Sequence, residues 1–186
     1  MQYNKPVLEI HEWKKEFEKL PLEDYVLTFD DGLYSQYQAI DFLKTLNTEK
    51  IFFISTDIIR PKYQEPNTEI IHCADAHKKA FGDNKEDYMS WNEIQEIASI
   101  PGFEIGGHSH YHHKYSLGGL KDLYAKLVDD TERMLRNFGD NNIKIESFCF
   151  PYNEDYQSIY RMIITKEGIG KLFGAERTPI ENILEK

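Results

Sequence analysis

Cysteine is scarce in this chain. Cys73 and Cys149 are the only two among 186 residues, which excludes a disulfide framework and suits a reducing compartment. Long apolar runs are missing as well. Nothing approaches the ~20 residues of a membrane-crossing helix, so no membrane span is expected. Positive charge is in deficit: 22 Lys and Arg face 32 Asp and Glu, a net charge of −10. That balance argues against nucleic acid as a partner, because phosphate binding needs basic patches. The segment from Met1 to Glu9 holds no apolar secretory core, and the expectation is a cytoplasmic protein. No internal repeat or low-complexity segment is visible, and the oligomeric state is not legible.

What is present suits a folded enzyme. A 40% hydrophobic content with 13% aromatics supports a core. Residues 1–186 are expected to form a single domain, large enough to bury roughly 70% of its unfolded surface.

Thr28-Phe29-Asp30-Asp31-Gly32 is the most informative stretch. It closes an apolar run from Tyr25 to Phe29 that reads as a buried strand, since β-branched and aromatic residues crowd together with no helical period. Two like charges at a strand end repel and resist desolvation. Keeping them there calls for a cation or a catalytic role, and strand mouths are where α/β proteins bind ligands. A plain turn, with an Asp capping the helix from Tyr34, explains the pentapeptide equally well.

A second cluster weighs against the plain turn. Phe103-Glu104-Ile105-Gly106-Gly107 again reads as a short strand, and it opens onto His108-Ser109-His110-Tyr111-His112-His113, which holds four of the seven histidines. His108 and His112 are four apart, so one helical turn would put both imidazoles on one side. A carboxylate with two imidazoles is a frequent catalytic Zn²⁺ set that leaves coordination positions open. A solvated His-rich loop is the alternative.

These two motifs resemble those of the polysaccharide deacetylases, carbohydrate esterase family four with the NodB-homology domain. Thr28-Phe29-Asp30-Asp31-Gly32 is similar to the first motif, and His108-Ser109-His110-Tyr111-His112 to the second, His-Ser/Thr-x-x-His. Lys50-Ile51-Phe52-Phe53-Ile54-Ser55 is similar to the family's second core strand, and Met89-Ser90-Trp91-Asn92-Glu93 to the start of the helix before the second motif. The likeness covers most of residues 25 to 175.

Strand and helix patterns alternate along the chain. Val7 to Ile10 is a possible first strand, and Trp13 to Leu20 has apolar residues at helical spacing up to Pro21. Ile40, Leu43 and Leu46 repeat on one helix face. Ser90-Trp91-Asn92-Glu93 reads as a capping box. Leu120, Leu123, Leu127, Met134 and Leu135 mark a long amphipathic helix, Glu146 to Phe150 another strand, and Ile159, Met162 and Ile163 a last helix ending near Gly168. Residues 60–88 match neither template and read as a long functional or disordered excursion. The alternation implies an α/β fold with a parallel sheet. The resemblance goes further and implies a distorted (β/α) barrel of the polysaccharide deacetylase type, with few strands.

The resemblance also implies roles. Asp31, His108 and His112 would ligate a divalent metal, most readily Zn²⁺. Asp30 would act as general base, and the backbone N–H of Tyr152, in Phe148-Cys149-Phe150-Pro151-Tyr152, would hold the oxyanion. The chain departs from the family in three places, one of them Asn153, which replaces the usual Gly. Cys149 stands where the third motif usually carries an Arg two residues before its Pro. No histidine follows His113, so the late Leu-x-His motif that supplies the general acid is absent. His11, at the end of the first strand, resembles a permuted arrangement that fills this vacancy, although a surface histidine beside Glu9 and Glu12 is the plainer reading. Arg177 could replace the missing guanidinium in the same way.

Ile70-Ile71-His72-Cys73-Ala74-Asp75-Ala76-His77 offers ligands for a second zinc site without the four-ligand spacing of a structural one. The run could instead lie near the substrate mouth, where His77 or Asp75 would contact sugar and Lys78, Lys79 and Lys85 a phosphate; a partly buried helix start explains it as well. The first expectation is a metal-dependent hydrolase that removes an N-acetyl group from a sugar or oligosaccharide, such as a precursor of a surface glycan or O-antigen. A deformylase or cyclic amide hydrolase of related build, and a non-catalytic carbohydrate-binding relative, remain as alternatives.

Overall fold

The computed structural model describes residues 3–116 and 118–184. Met1 and Gln2, and with Glu185 and Lys186 both ends of the expected 1–186 domain, lie outside the described residues. Seven strands form one sheet: β1 (Val7–Ile10), β2 (Val26–Phe29), β3 (Lys50–Ile54), β4 (Phe103–Gly107), β5 (Ser147–Cys149), β6 (Lys171–Phe173) and β7 (Thr178–Pro179). Every pairing is parallel, and the order is β6-β5-β4-β3-β2-β1-β7. The helices are α1 (Tyr34–Gln38), α2 (Ile40–Leu43), α3 (Cys73–Phe81), α4 (Trp91–Ala98), α5 (Leu120–Asp140), α6 (Ile159–Lys166) and α7 (Glu181–Leu184).

The sheet curls into a distorted barrel. In a flat sheet, strands three places apart stand about 14 Å from one another. Yet the rings of Phe53 on β3 and Phe173 on β6 meet with centroids 5.1 Å apart. Val26, Ile51, Phe53, Cys149 and Phe173 make a small core on the inner face. Their strand neighbours Leu27, Phe29, Phe52, Ile54 and Phe148 join the larger core outside, beneath the helices. This two-residue alternation is what a pleated strand dictates. Gly106 on β4 lies under the Phe53 ring, where a Cβ would stand 2.6 Å from two ring carbons.

The helices follow local chemistry. α4 begins with its capping box: the Ser90 N–H donates to Glu93 Oε2 at 2.6 Å. α5 buries Leu123, Leu127, Met134 and Phe138, but Leu120 is exposed, and Asp130 interrupts the apolar stripe while fully buried. The apolar spacing over Trp13–Leu20 resolves into a short 3₁₀ turn, Lys15–Lys19. The excursion holds a real helix, α3, whose buried residues are only Ala76 and Ala80. Such small side chains leave almost no hydrophobic period to read.

Substituting Gly106→Ala should cost about 1–3 kcal/mol through overpacking against Phe53. The expected readout is a lower denaturant midpoint with an unchanged slope.

Candidate active site

The C-terminal strand ends converge on a cleft of about 280 Å³ whose wall includes His11, Asp30, Asp31, His108, His112 and Tyr152. β1 delivers His11, β2 the Asp pair, β4 the histidines and β5 Tyr152. Gln36 ties the first two strand ends together: its side-chain amide donates to the Asp30 carbonyl at 2.6 Å and to the His11 carbonyl at 2.8 Å. Neither Asp caps α1, whose N-cap is Leu33 without a side-chain bond.

The two aspartates, each 2% exposed, face different partners. Asp30 meets Arg177 in a two-pronged ion pair, with Nη1 to Oδ1 at 2.6 Å and Nη2 to Oδ2 at 2.8 Å. Burial alone would raise the Asp30 pKa, but the guanidinium overrides it and holds the carboxyl below the usual range. Arg177 also donates to Thr28 Oγ1 at 3.0 Å and to Glu9 Oε1 at 3.2 Å. Asp31 takes a left-handed backbone, φ 75°, which turns its carboxylate toward the imidazoles. Its Oδ1 stands 3.1 Å from His112 Nε2, 3.3 Å from His108 Nε2 and 3.8 Å from His77 Nε2. Here too burial opposes ionisation, and the imidazoles, His112 foremost, outweigh it to hold the carboxyl well below its usual range.

Asp31, His108 and His112 have ligand atoms all within 4.8 Å of one another. Two observations test the fit to a cation. Asp31 Oδ1 is buried with no hydrogen-bond partner. His108 Nδ1 lies 2.8 Å from the Cys149 carbonyl; a carbonyl only accepts, so Nδ1 carries a proton and Nε2 is the ring atom that faces Asp31. A pinned imidazole of this kind is the usual form of a metal-ligating histidine, and the donor set suits Zn²⁺ or a similar divalent ion.

The segment His108–His112 is not helical. Ser109 and His112 adopt positive φ, 67° and 52°, and Ser109 Oγ accepts the His112 N–H at 2.9 Å. A polar turn therefore brings the two imidazoles together. Buried Asp130 braces it from α5 by accepting the N–H groups of His110 and Tyr111 and the Tyr115 hydroxyl. Tyr152 is also left-handed, φ 57°, and its hydroxyl donates to the His112 carbonyl at 3.3 Å. His11 lies near Glu9, 3.9 Å from its Nε2 to Oε1. Burial lowers the His11 pKa, but Asp31, Asp30 and Glu9 together raise it above its ordinary value.

Helix α3 adds Cys73 and His77 to the cleft wall, in keeping with the reading of residues 70–77 as lying near the substrate mouth. His77 stacks on His112 with centroids 4.3 Å apart, and its Nδ1 lies 2.9 Å from the Cys73 carbonyl. The only signal for them was the density of His and Cys in residues 72–77. The nearby lysines turn elsewhere: Lys78 pairs with Asp75, Lys79 with Glu86 and Asp87, and Lys85 donates to the Asp57 carbonyl.

The family model described as polysaccharide deacetylase matches residues 18–169. The chain belongs to the polysaccharide deacetylase family. No curated protein matches it in sequence. Its fold is similar to that of a de-N-acetylase from Aggregatibacter actinomycetemcomitans, at TM-score 0.67 and 14% identity over 94% of this chain and 93% of that one. It is also similar to IcaB from Ammonifex degensii, at TM-score 0.66 and 18% identity over 94% and 84%. The BpsB deacetylase domain from Bordetella bronchiseptica gives TM-score 0.64 and 14% identity over 94% of each chain. In this polysaccharide deacetylase, His11 and Arg177 both fall outside the matched residues. Cys149 occupies the usual Arg position, with its sulfur 3.7 Å from Asp30 Oδ2, and the guanidinium comes from the far end of the chain instead.

Removing a bridge partner from a buried ion pair leaves an uncompensated charge, so Arg177→Met should cost about 3–5 kcal/mol at neutral pH in metal-free protein. The native pKa of Asp30 is depressed. The contribution of the pair is therefore complete above the unfolded carboxylate pKa and fades as pH falls through the lower native one. Denaturant unfolding should show the gap between the two proteins closing in acid. Separately, Asp31→Ala and His112→Ala should each lower the number of Zn²⁺ ions bound per chain in equilibrium dialysis; unchanged metal content would remove that residue as a ligand.

Proposed function

We propose that this polysaccharide deacetylase is a metal-dependent hydrolase that removes an N-acetyl group from a sugar or glycan precursor. The observation that carries the reading is the split pair of carboxylates: Asp30 held ionised by Arg177, beside Asp31 turned onto two imidazoles. Asp31, His108 and His112 would hold the cation, with Zn²⁺ the ion we propose. When bound, it would polarise the acyl carbonyl and acidify a water.

The chain's own residues do the rest. Asp30 accepts the proton of the attacking water as general base. Arg177 keeps that carboxylate ionised and fixes both of its oxygens. The Tyr152 N–H is assigned to the oxyanion of the tetrahedral intermediate. His11, whose pKa the surrounding carboxylates raise, is assigned as the donor that protonates the leaving amine. We further propose that residues 1–186 act as one domain, in the cytoplasm, on precursors of surface polysaccharide such as O-antigen or capsule units. Among the described residues no helix is long and apolar enough to cross a membrane. The non-catalytic alternative drew on the missing Arg and late His; Arg177 on Asp30 and His11 in the cleft both favour hydrolysis.

Amine release from N-acetylglucosamine oligomers should be detectable with Zn²⁺-loaded protein. Asp30→Asn should lower kcat by about 10²–10⁴ while bound metal stays constant. If the loaded wild type turns over no acetylated sugar, the reading fails, and turnover of N-formyl analogues alone would move it to a deformylase.

A further inference from the structure

Helix α3 brings to the cleft a thiol, a strong metal donor that the proposed hydrolysis does not use. Cys73 opens the helix, and its sulfur, a His11 ring nitrogen and an Asp31 carboxylate oxygen all lie within 4.8 Å of one another. The residue is held in place, since its N–H donates at 3.2 Å to Oε2 of buried Glu12. It is half-buried in the cleft wall and carries no disulfide.

Thiolate, imidazole and carboxylate together are a soft-to-borderline donor set, which favours zinc-like ions over Mg²⁺ or Ca²⁺. Asp31 has two oxygens and can serve this ion and the one held by His108 and His112. The second thiol offers no such site. Cys149 also lies within 4.8 Å of Asp30 and His108, but Asp30 is committed to Arg177 and His108 faces Asp31.

We propose that Cys73, His11 and Asp31 form a second cation site on the cleft wall, selective for a thiophilic divalent ion such as Zn²⁺ or Cd²⁺, and that filling it inhibits the enzyme by claiming His11. Binding exchanges protons for the metal: the Cys73 S–H bond breaks, the His11 imidazolium gives up one N–H proton, both protons leave to solvent, and the sulfur and ring-nitrogen lone pairs form the bonds to the ion. The inhibitory half rests on the role proposed for His11; the binding half does not.

Cadmium titration of the full chain tests it, with ultraviolet detection of the thiolate-to-cadmium charge-transfer band and equilibrium dialysis to count ions. The wild type should bind two ions, the second with the thiolate band. Cys73→Ser should lose that band and weaken the second ion by more than about 100-fold, beyond the loss typical of an outer partner. Cys149→Ser should keep both. Excess Zn²⁺ should inhibit amine release by the wild type but not by Cys73→Ser, whose basal rate should match wild type. A single ion per chain, or a band that survives in Cys73→Ser, would overturn the site. Zinc inhibition that persists after Cys73→Ser has removed the band would overturn its inhibitory role. If no acetylated sugar is turned over at all, the function proposed above fails, while the band and the ion count still decide the site.

Discussion

Two carboxylates on adjacent residues, both removed from water, are the constraint around which this molecule is arranged. Neither could stay ionised there alone, because burial and mutual repulsion both favour the protonated form. The positive φ of Asp31 points the two side chains at different partners. Asp30 receives a guanidinium, whose planar fork matches both carboxylate oxygens. Asp31 receives imidazoles, with His112 Nε2 and His108 Nε2 at 3.1 and 3.3 Å from its Oδ1. Each solution is costly to break, so the fold and the chemistry of the site share the same contacts.

The curl of the sheet makes both solutions reachable. Arg177 sits between β6 and β7 at opposite ends of the strand order, yet it lies over the Phe53 ring, 5.9 Å from its centroid, and reaches Asp30 on β2. No flat sheet would allow that. Gly106 contributes by having no side chain where Phe53 crosses the interior. At the rim, Asp31, Ser109, His112 and Tyr152 all adopt the left-handed backbone that L residues rarely take. Such strain persists only where surrounding bonds over-determine it. Here the Ser109 hydroxyl, the Asp130 carboxylate and the Gln36 amide supply those bonds around the cleft.

The parts of the site that sequence reveals are those carried by short local patterns. Asp30 and Asp31 stand out because charge at the end of an apolar strand is anomalous wherever it occurs. His108 and His112 stand out by density and spacing, although the spacing suggested a helical turn and the fold uses a polar one, which brings residues four apart together just as well. The strands β1, β2, β4 and β5 and helices α4, α5 and α6 follow from periodicity and capping, and β3 from the family resemblance. α3 was legible only as a possible helix start because its buried side chains are alanines, and β6 and β7 escaped because three and two residues make no readable run. Asp130 escaped because a single acid within an amphipathic helix normally faces solvent.

The sequence alone determined the chemistry of the site, for it placed a carboxylate pair and a histidine cluster at strand mouths, and it also determined the alternation that builds a parallel sheet. Tertiary structure decided which of the candidate groups complete that site. Arg177 lies 147 residues from Asp30, and Cys73 and His77 ride on a helix with scarcely any hydrophobic signature. No local pattern records such meetings, because they depend on how far the sheet curls and where its two ends come to rest.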